Sequence, residues 1–308
     1  MKKDLVTGIL ISCLAVTVCA WVPIVGLMGS AFIPVPLIFY RAKTGTQAAR
    51  GIALATLGYV LLLGGRAELL FFGELLLIGV LMGELIARRW PPEAMAAAVC
   101  GAVVGTGVTG LWVFGRFSGK GLLETLSEGV RYNLELTVRL YQDMGLSPDQ
   151  LSFLERSLDV IQQVMVGIMP ALAIGSTLVT VWVCLLTIRQ LCQRRGLPVP
   201  DYGALDHWKA PEILVWGVIA SGVLLLLPGL EVKTLGLNGL LVFMVIYFFQ
   251  GMAIVAYFFR KKQVPRVARM MLYGLIAIQQ VVMLAVVGVG FFDTWFNFRK
   301  INKPLAPG

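Results

Sequence analysis

The chain has 308 residues, of which 58% are hydrophobic and only 14% are charged, and its mean hydropathy is +0.82. Soluble domains carry roughly 25% charged residues, so this composition excludes a soluble globule and predicts a protein solvated by lipid. The net charge of +9 does not indicate a nucleic-acid partner, because the basic residues stand between apolar runs, where they set membrane topology.

The apolar runs predict an all-α, polytopic transmembrane bundle of about nine spans, since a helix needs about 20 residues to cross ~30 Å of hydrocarbon. The first run, residues 4–22, continues past Val18-Cys19-Ala20, which resembles a signal cleavage site, so we interpret it as an uncleaved span. The later runs are 24–40, 49–64, 67–87, 92–116, 163–188, 211–228, 237–259 and 270–292.

The second run, residues 24–40, is short and contains Pro34 and Pro36, so it either crosses the membrane or forms a re-entrant hairpin, which would leave about eight spans. If it crosses and the N-terminus is cytoplasmic, sixteen Lys and Arg residues lie inside and ten outside; a re-entrant run gives twelve and fourteen. The positive-inside rule therefore favours crossing. It predicts a multi-pass protein of the bacterial cytoplasmic (inner) membrane, with Lys43 inside and Arg299 outside.

A polar stretch at 117–160 predicts an extracytoplasmic, amphipathic helical hairpin. One face of its first helix carries apolar residues at intervals of three or four, namely Leu123, Leu126, Val130, Leu134, Val138 and Tyr141. Gly145 can end this helix, and Ser147, Pro148 and Gln150 fit the start of another. The hairpin is interpreted as a lid, a docking surface or a connector lying on lipid headgroups.

These elements divide the chain into two predicted domains. Residues 1–195 form a six-span domain that includes the hairpin, and residues 196–308 add three spans and an interfacial tail. The tail, Phe291–Lys300, mixes aromatic and charged residues, as expected for a membrane-interface belt. Its Asp293 and Arg299 are also candidates for an ion pair or a partner contact.

Small residues recur at every fourth position in two spans, which is typical of helices that approach closely in lipid. The fifth run carries Ala97, Gly101 and Gly105, and the sixth carries Gly167, Ala171 and Gly175. Gly79 and Gly83 add a similar pair in the fourth run. We interpret all of them as internal packing positions rather than a dimer face.

Glu74 is the first candidate for a binding residue. An ionisable side chain in the middle of a span is costly, so its presence there indicates a function. It could bind a cationic substrate group, relay a proton, or hydrogen-bond to a neighbouring helix. Gln250 and Asn238, both in the eighth run, are weaker candidates for substrate binding. Gln279 and Gln280 in the ninth run are interpreted as hydrogen-bonding glue between helices.

The sequence predicts no enzyme, no metal site and no cofactor. It lacks a P-loop and the HExxH and GxSxG motifs. Its five cysteines form no CxxC, and His207 is the single histidine.

Several blocks resemble the YybS-like family of bacterial membrane proteins, a domain of unknown function. They are FIPVPLIFYRAKTG at 32–45, LDHWKAPEILVWGVIASGVLLLLP at 205–228, LNGLLVFMVIYFFQGMAIVAYF at 237–258 and GFFDTWFNFRK at 290–300. This resemblance covers nearly the whole chain and implies a membrane protein without an assigned activity.

A looser resemblance, over about residues 1–190, is to the substrate-binding S components of energy-coupling-factor vitamin transporters, and the cell-shape protein MreD is similar in layout. In S components, small residues on the first span contact the coupling subunit, and Gly8 and Ser12 stand at comparable positions.

Two functional hypotheses follow. The first is a substrate-binding or small-molecule transport component, with Glu74 as its polar anchor. The alternative is a non-transporting scaffold or assembly factor in envelope biogenesis. The predicted partners are the lipid bilayer and other membrane subunits or envelope proteins.

Overall fold

The computed structural model describes residues 2–22, 26, 29–63, 66–119, 121–145, 147–198 and 202–300, and in these residues the chain forms eleven α-helices, two short 3-10 segments and no strand. The all-helical class is therefore confirmed. Two compact units divide between residues 200 and 201, a few residues beyond the predicted boundary at 195.

Unit 1 contains seven of these helices. They are α1 (Lys2–Trp21), α2 (Pro34–Thr44), α3 (Thr46–Leu63), α4 (Arg66–Ala87), α5 (Pro92–Ser118), α6 (Leu122–Asp143) and α7 (Pro148–Arg194). Unit 2 contains the other four. They are α8 (Leu214–Leu226), α9 (Leu230–Lys261), α10 (Arg266–Ile278) and α11 (Gln280–Phe296). The 3-10 segments, Ser30–Phe32 and Leu205–His207, precede α2 and α8.

The span count differs from the predicted nine. In the described part of the chain, six helices are long and apolar enough to cross a membrane, namely α1, α3, α4, α5, α7 and α9. Helices α10 and α11 pass the same test only together, and they are bent by 99° at their junction. The remaining two predicted spans correspond to α2, with 11 residues, and α8, with 13 residues.

Helix α2 is short because protein, rather than lipid, surrounds it. It packs against α1, α3, α4 and α7, and its Leu37 and Ile38 are almost completely buried. Gly79 and Gly83 of α4 face α2 so closely that an added Cβ would lie 3.0 Å from the Pro34 carbonyl oxygen and 3.1 Å from Arg41 Cβ. The predicted close packing at these two glycines is confirmed. An 11-residue helix rises only ~16 Å, and such interrupted backbone is tolerated at membrane depth when protein covers it.

The second run nevertheless returns the chain to the end where it began. Lys43, at the end of α2, forms an ion pair with Asp4 in the first turn of α1. Residues 4 and 43 therefore lie at the same end of unit 1, as the crossing interpretation predicts. Residues 24, 25, 27 and 28 of this run lie outside the described residues.

The predicted hairpin is formed by α6 and the beginning of α7, which pack against each other. The middle of the predicted apolar face makes this contact, since Val130 and Val138 are buried, whereas Leu123 and Tyr141 at its ends are exposed. The second arm continues without a break into the sixth span, so α7 has 47 residues. It begins at Pro148 as predicted; the side chains of Pro148 and Gln150 lie outside the described set.

The three predicted packing positions on α5 do not pack inside unit 1, and Ala97 is exposed. An added Cβ at Gly101 or Gly105 would meet nothing within 4 Å, so these glycines of α5 lie on the open face of unit 1 rather than against another helix. On α7, Ala171 and Gly175 are buried and Gly167 is half-buried, which agrees with an inward-facing stripe. The regular spacing was the same in both helices, but only α7 turns its stripe inward.

Gly8 and Ser12 on α1 also point into unit 1. An added Cβ at Gly8 would collide with Ile52 and would lie 3.0 Å from the Tyr40 ring, and Ser12 is fully buried. The resemblance to S components implies a partner-facing stripe. Gly8 instead faces the chain's own α2 and α3, and Ser12 is buried within unit 1.

Unit 2 is organised around α9, which packs against α8 and α11. Gly290 of α11 lies against the Tyr247 carbonyl, and Gly251 of α9 lies against the Val286 carbonyl, with no room for a Cβ at either position. Residue 247 lies against 290 and residue 251 lies against 286, so α9 and α11 run antiparallel and their backbones are in contact.

Candidate functional site

Glu74 lies halfway along α4 and is half-buried, as the sequence predicts. Its carboxyl opens on a cavity of about 110 Å³ between α4, α5 and α7. The rest of the lining is apolar or hydroxylic, and the described part of it contains no Lys or Arg. A carboxylate in such surroundings requires a cation or a proton, because an unpaired charge is expensive to bury.

The hydroxyl groups in the lining come from Ser30 and from Ser176, Thr177 and Thr180 of α7. The hydroxyls of Ser176 and Thr177 donate to the Ala173 carbonyl at 3.1 and 2.7 Å, and that of Thr180 donates to the Ser176 carbonyl at 2.9 Å. A hydroxyl has one hydrogen to donate and two lone pairs. With these bonds in place, the three oxygens offer only lone pairs to the cavity, where they can accept hydrogen bonds or coordinate a cation.

Gly107 of α5 completes the site. An added Cβ there would lie 3.3 Å from Glu74 Oε1, so a glycine lets the α5 backbone come close to the carboxyl. Sequence reasoning selected Gly101 and Gly105 in the same helix and missed Gly107, as it missed the three hydroxyls of α7. The available signal was their spacing: Ser176, Thr177 and Thr180 recur on one face of an apolar span.

The other two predicted binding residues, Asn238 and Gln250, belong to unit 2. Asn238 donates from Nδ2 to the Thr234 carbonyl of its own helix at 2.8 Å. Gln250 is 1% exposed. Its Oε1 accepts from the Ala210 N–H at 3.1 Å, and its Nε2 donates to Asp293 Oδ2 at 3.3 Å. Both ends of the Gln250 amide are thus used within the protein.

Gln250 is part of a buried polar group that we call the Arg299 cluster, formed by Gln250, Asp293, Arg299 and the carbonyls of 206 and 208. Arg299 Nη2 lies 2.9 Å from Asp293 Oδ2, and both side chains are fully buried. Arg299 Nη1 donates to the carbonyls of Asp206 and Trp208 at 2.8 and 2.9 Å. The Phe298 N–H donates to Asp293 Oδ1 at 2.8 Å.

The Arg299 cluster corrects the predicted topology of the tail. The crossing topology places Arg299 outside, and Lys209 and Arg260 are among the sixteen basic residues that it places inside. In the structure Arg299 binds the carbonyl of Asp206, whose carboxylate is 2.8 Å from Arg260 Nη2, and Lys209 donates to Asn297 at 3.0 Å. A bilayer cannot separate groups in direct contact, so the predicted opposite placement is wrong. Of the two roles considered for Asp293 and Arg299, the ion pair is present.

The 99° bend between α10 and α11 accounts for this arrangement. It falls at Gln279, which is exposed and joins the two helices in an extended conformation. Gln279 and Gln280 were predicted to lie in mid-span as glue between helices. They instead mark the break, after which α11 returns along α9 and brings Asp293 to Gln250.

Comparison with known proteins agrees with the membrane architecture. Residues 9–294 match the family described as "Predicted membrane protein (DUF2232)". The chain is also similar to the "Uncharacterized protein YybS" of Bacillus subtilis (strain 168), with 22% identity over 306 residues that cover 96% of this chain and 97% of that protein. No solved structure matches. The predicted resemblance to the YybS-like family is confirmed, and the chain belongs to the DUF2232 family of predicted membrane proteins.

Proposed function

We propose that this protein is a membrane-embedded binding or transport component for a small monovalent cation or protonated amine, which Glu74 anchors. The observation that supports this is the Glu74 carboxyl itself, in the middle of a span and open to a cavity whose hydroxyls act as acceptors. Oxygen-only surroundings suit hard cations. One carboxylate matches one positive charge, and the cavity volume of about 110 Å³ admits an ion or a methylammonium group but not a vitamin-sized substrate.

The proposed setting is the cytoplasmic membrane of a bacterium, with the N-terminus in the cytoplasm. The positive-inside rule supports this orientation, because Lys43, Arg88 and Arg195 stand at helix ends that share the N-terminal side in the crossing topology. The hairpin of α6 and α7 then projects on the opposite side.

The proposal predicts that a hydrophobic carbodiimide labels Glu74, that cations protect Glu74 from this labelling, and that Glu74→Gln abolishes it. A hydrophobic carbodiimide modifies protonated carboxyls inside membranes, and a bound cation excludes the proton. In purified protein in detergent, we expect mass spectrometry to locate the adduct at Glu74. We expect methylammonium or Na⁺ to reduce its yield by about tenfold at a concentration about ten times the dissociation constant. Glu68→Gln, at the exposed start of the same helix, is the matched control and should behave as wild type.

Labelling at Glu74 that neither cation reduces would reject cation binding and leave a carboxyl that only exchanges protons. No labelling at Glu74 in the wild type, with normal labelling of a reference membrane carboxyl, would reject the site.

A scaffold function remains the second candidate because of one observation on the hairpin. Helix α6 packs on α7 through Val130 and Val138, yet Leu123, Leu140 and Met144 are between 63% and 76% exposed. If envelope proteins dock on this surface, changing these three residues to Ser removes the proteins that co-purify on gentle extraction, and Glu74→Gln leaves them in place. If the same proteins co-purify with the Ser variant, this docking surface is rejected and the binding component is favoured.

A further inference from the structure

A second cavity, of about 660 Å³, lies at the end of unit 1 that carries the N-terminus. We call it the Arg195 cleft. It is formed by α1, α2 and the last turn of α7 with the residues that follow. Its volume falls within the range of small-molecule sites, about 300–1,000 Å³, and it shares no lining residue with the Glu74 cavity.

The cleft has an apolar wall and a charged rim. Ile11, Phe39 and Leu191 are among the apolar lining residues, and Asp4, Lys43 and Arg195 supply the charges. Asp4 is already paired with Lys43. In the part of the chain that the structure describes, no carboxylate lies within ion-pair distance of Arg195, whose side chain is exposed. The rim therefore has a net positive charge and one guanidinium that is available to an anion.

We infer that the Arg195 cleft binds an anionic phospholipid of the surrounding bilayer, with its phosphodiester at Arg195 and Lys43 and the beginning of an acyl chain along Ile11 and Phe39. Arginine binds phosphate oxygens with two parallel hydrogen bonds. A zwitterionic headgroup carries the same phosphodiester together with a quaternary ammonium, which a rim of net positive charge repels, so an anionic headgroup is preferred. The apolar wall continues onto the exposed face of α1, where Ile11 is 45% and Leu14 is 65% exposed. A chain that leaves the cleft along this face enters the hydrocarbon of the bilayer.

Charge variants test the headgroup contact. Delipidated full-length protein in detergent is titrated with phosphatidylglycerol or phosphatidylcholine, and native mass spectrometry counts the bound lipid. We expect phosphatidylglycerol to bind preferentially, and we expect Arg195→Gln to weaken its binding by about tenfold or more, because the charge-assisted hydrogen bonds of the guanidinium are lost. Arg194→Gln, the same change at the adjacent exposed residue, should have no effect. Asp4→Asn should strengthen binding, because it removes the competing carboxylate from Lys43.

Equal binding of the two lipids by the wild type, or equal losses in Arg195→Gln and Arg194→Gln, would overturn the inference. A weaker complex with Asp4→Asn would contradict the role given to Lys43.

The apolar wall is tested separately. Ile11→Trp fills the cleft without changing its charge and should reduce binding of phosphatidylglycerol, whereas Leu10→Trp, at a neighbouring residue that is 64% exposed and does not line the cleft, should not. Glycerol phosphate serves as the headgroup without chains and should compete only at much higher concentrations. Displacement of phosphatidylglycerol by glycerol phosphate at equal concentration would show an anion site alone and overturn the lipid assignment.

Discussion

The Asp293 and Arg299 side chains are both completely excluded from solvent, which places unusual demands on their partners. The two charges neutralise each other. Asp293 also accepts hydrogen bonds from the Gln250 amide and the Phe298 N–H, and Arg299 donates to two backbone carbonyls, so most of their remaining polar atoms are satisfied. Removing one member of a buried pair costs far more than the net contribution of the pair, because the other charge is left without compensation. The Arg299 cluster therefore fixes the tail and the 205–211 segment to α9.

We predict that Asp293→Asn destabilises unit 2 by about 3–5 kcal/mol, since Arg299 then remains as an uncompensated buried charge. The double variant Asp293→Asn, Arg299→Gln should be less destabilised than this single one. Glu135→Gln, which removes an exposed i,i+4 partner of Arg131, should cost less than about 0.5 kcal/mol. Thermal unfolding of the purified protein in detergent measures all three. A double variant less stable than Asp293→Asn would contradict the explanation.

Two glycines let helices α9 and α11 approach closely, and the Tyr247 and Phe291 rings pack edge to face between the same two helices. Gly251 and Gly290 bring the two backbones into contact, in the manner of small-residue packing in lipid. Helix α4 uses Gly79 and Gly83 in the same way to accept α2. In each case a short or bent element is accommodated because its neighbour has no side chain at the crossing point.

We predict that Gly290→Ala separates α9 from α11, because the new Cβ would collide with the Tyr247 carbonyl. The apparent melting temperature should fall by several degrees, as expected for about 1–3 kcal/mol of overpacking. Gly288→Ala, two residues earlier in the same helix, meets open space and should be neutral or slightly stabilising, since alanine favours helix. Equal effects of the two substitutions would show that helix propensity, and not the crossing, determines stability.

Across the whole molecule, the long helix α7 links regions of different character. Its N-terminal part packs on α6, its residues 176–180 line the Glu74 cavity, and its last turn reaches the Arg195 cleft. With 47 residues it is ~70 Å long, more than twice the hydrocarbon thickness. The hairpin must therefore extend well beyond one membrane surface.

We predict that Gln142→Cys, near the end of α6, reacts with a membrane-impermeant maleimide in intact cells, whereas Gln193→Cys, near the end of α7, reacts only after permeabilisation. Both positions are exposed and lie at opposite ends of the hairpin and span. The five native cysteines are first replaced by alanine. Labelling of Gln193→Cys alone in intact cells would invert the orientation proposed from the basic residues.

The sequence predicts the helical class, the hairpin and Glu74 because each depends on local pattern: apolar runs, helical periodicity and a charge inside a span. It does not predict that α7 turns its Thr177 and Thr180 toward Glu74 while α5 turns Gly101 and Gly105 outward, since the spacing of small residues is alike in both helices. The bend at Gln279 is also unmarked, because neither proline nor glycine stands at that position. These features depend on contacts between distant parts of the chain.

The unbroken course of α7 has a mechanical consequence. A continuous helix tilts as one rigid element. A force on the hairpin therefore also tilts the segment that carries Ser176, Thr177 and Thr180, and it displaces Arg195 at the other end of α7. Pro170 lies inside this helix and removes one backbone hydrogen bond, yet the helix continues through it without a break. A partner that binds the hairpin and tilts it would therefore move the hydroxyl oxygens that line the Glu74 cavity.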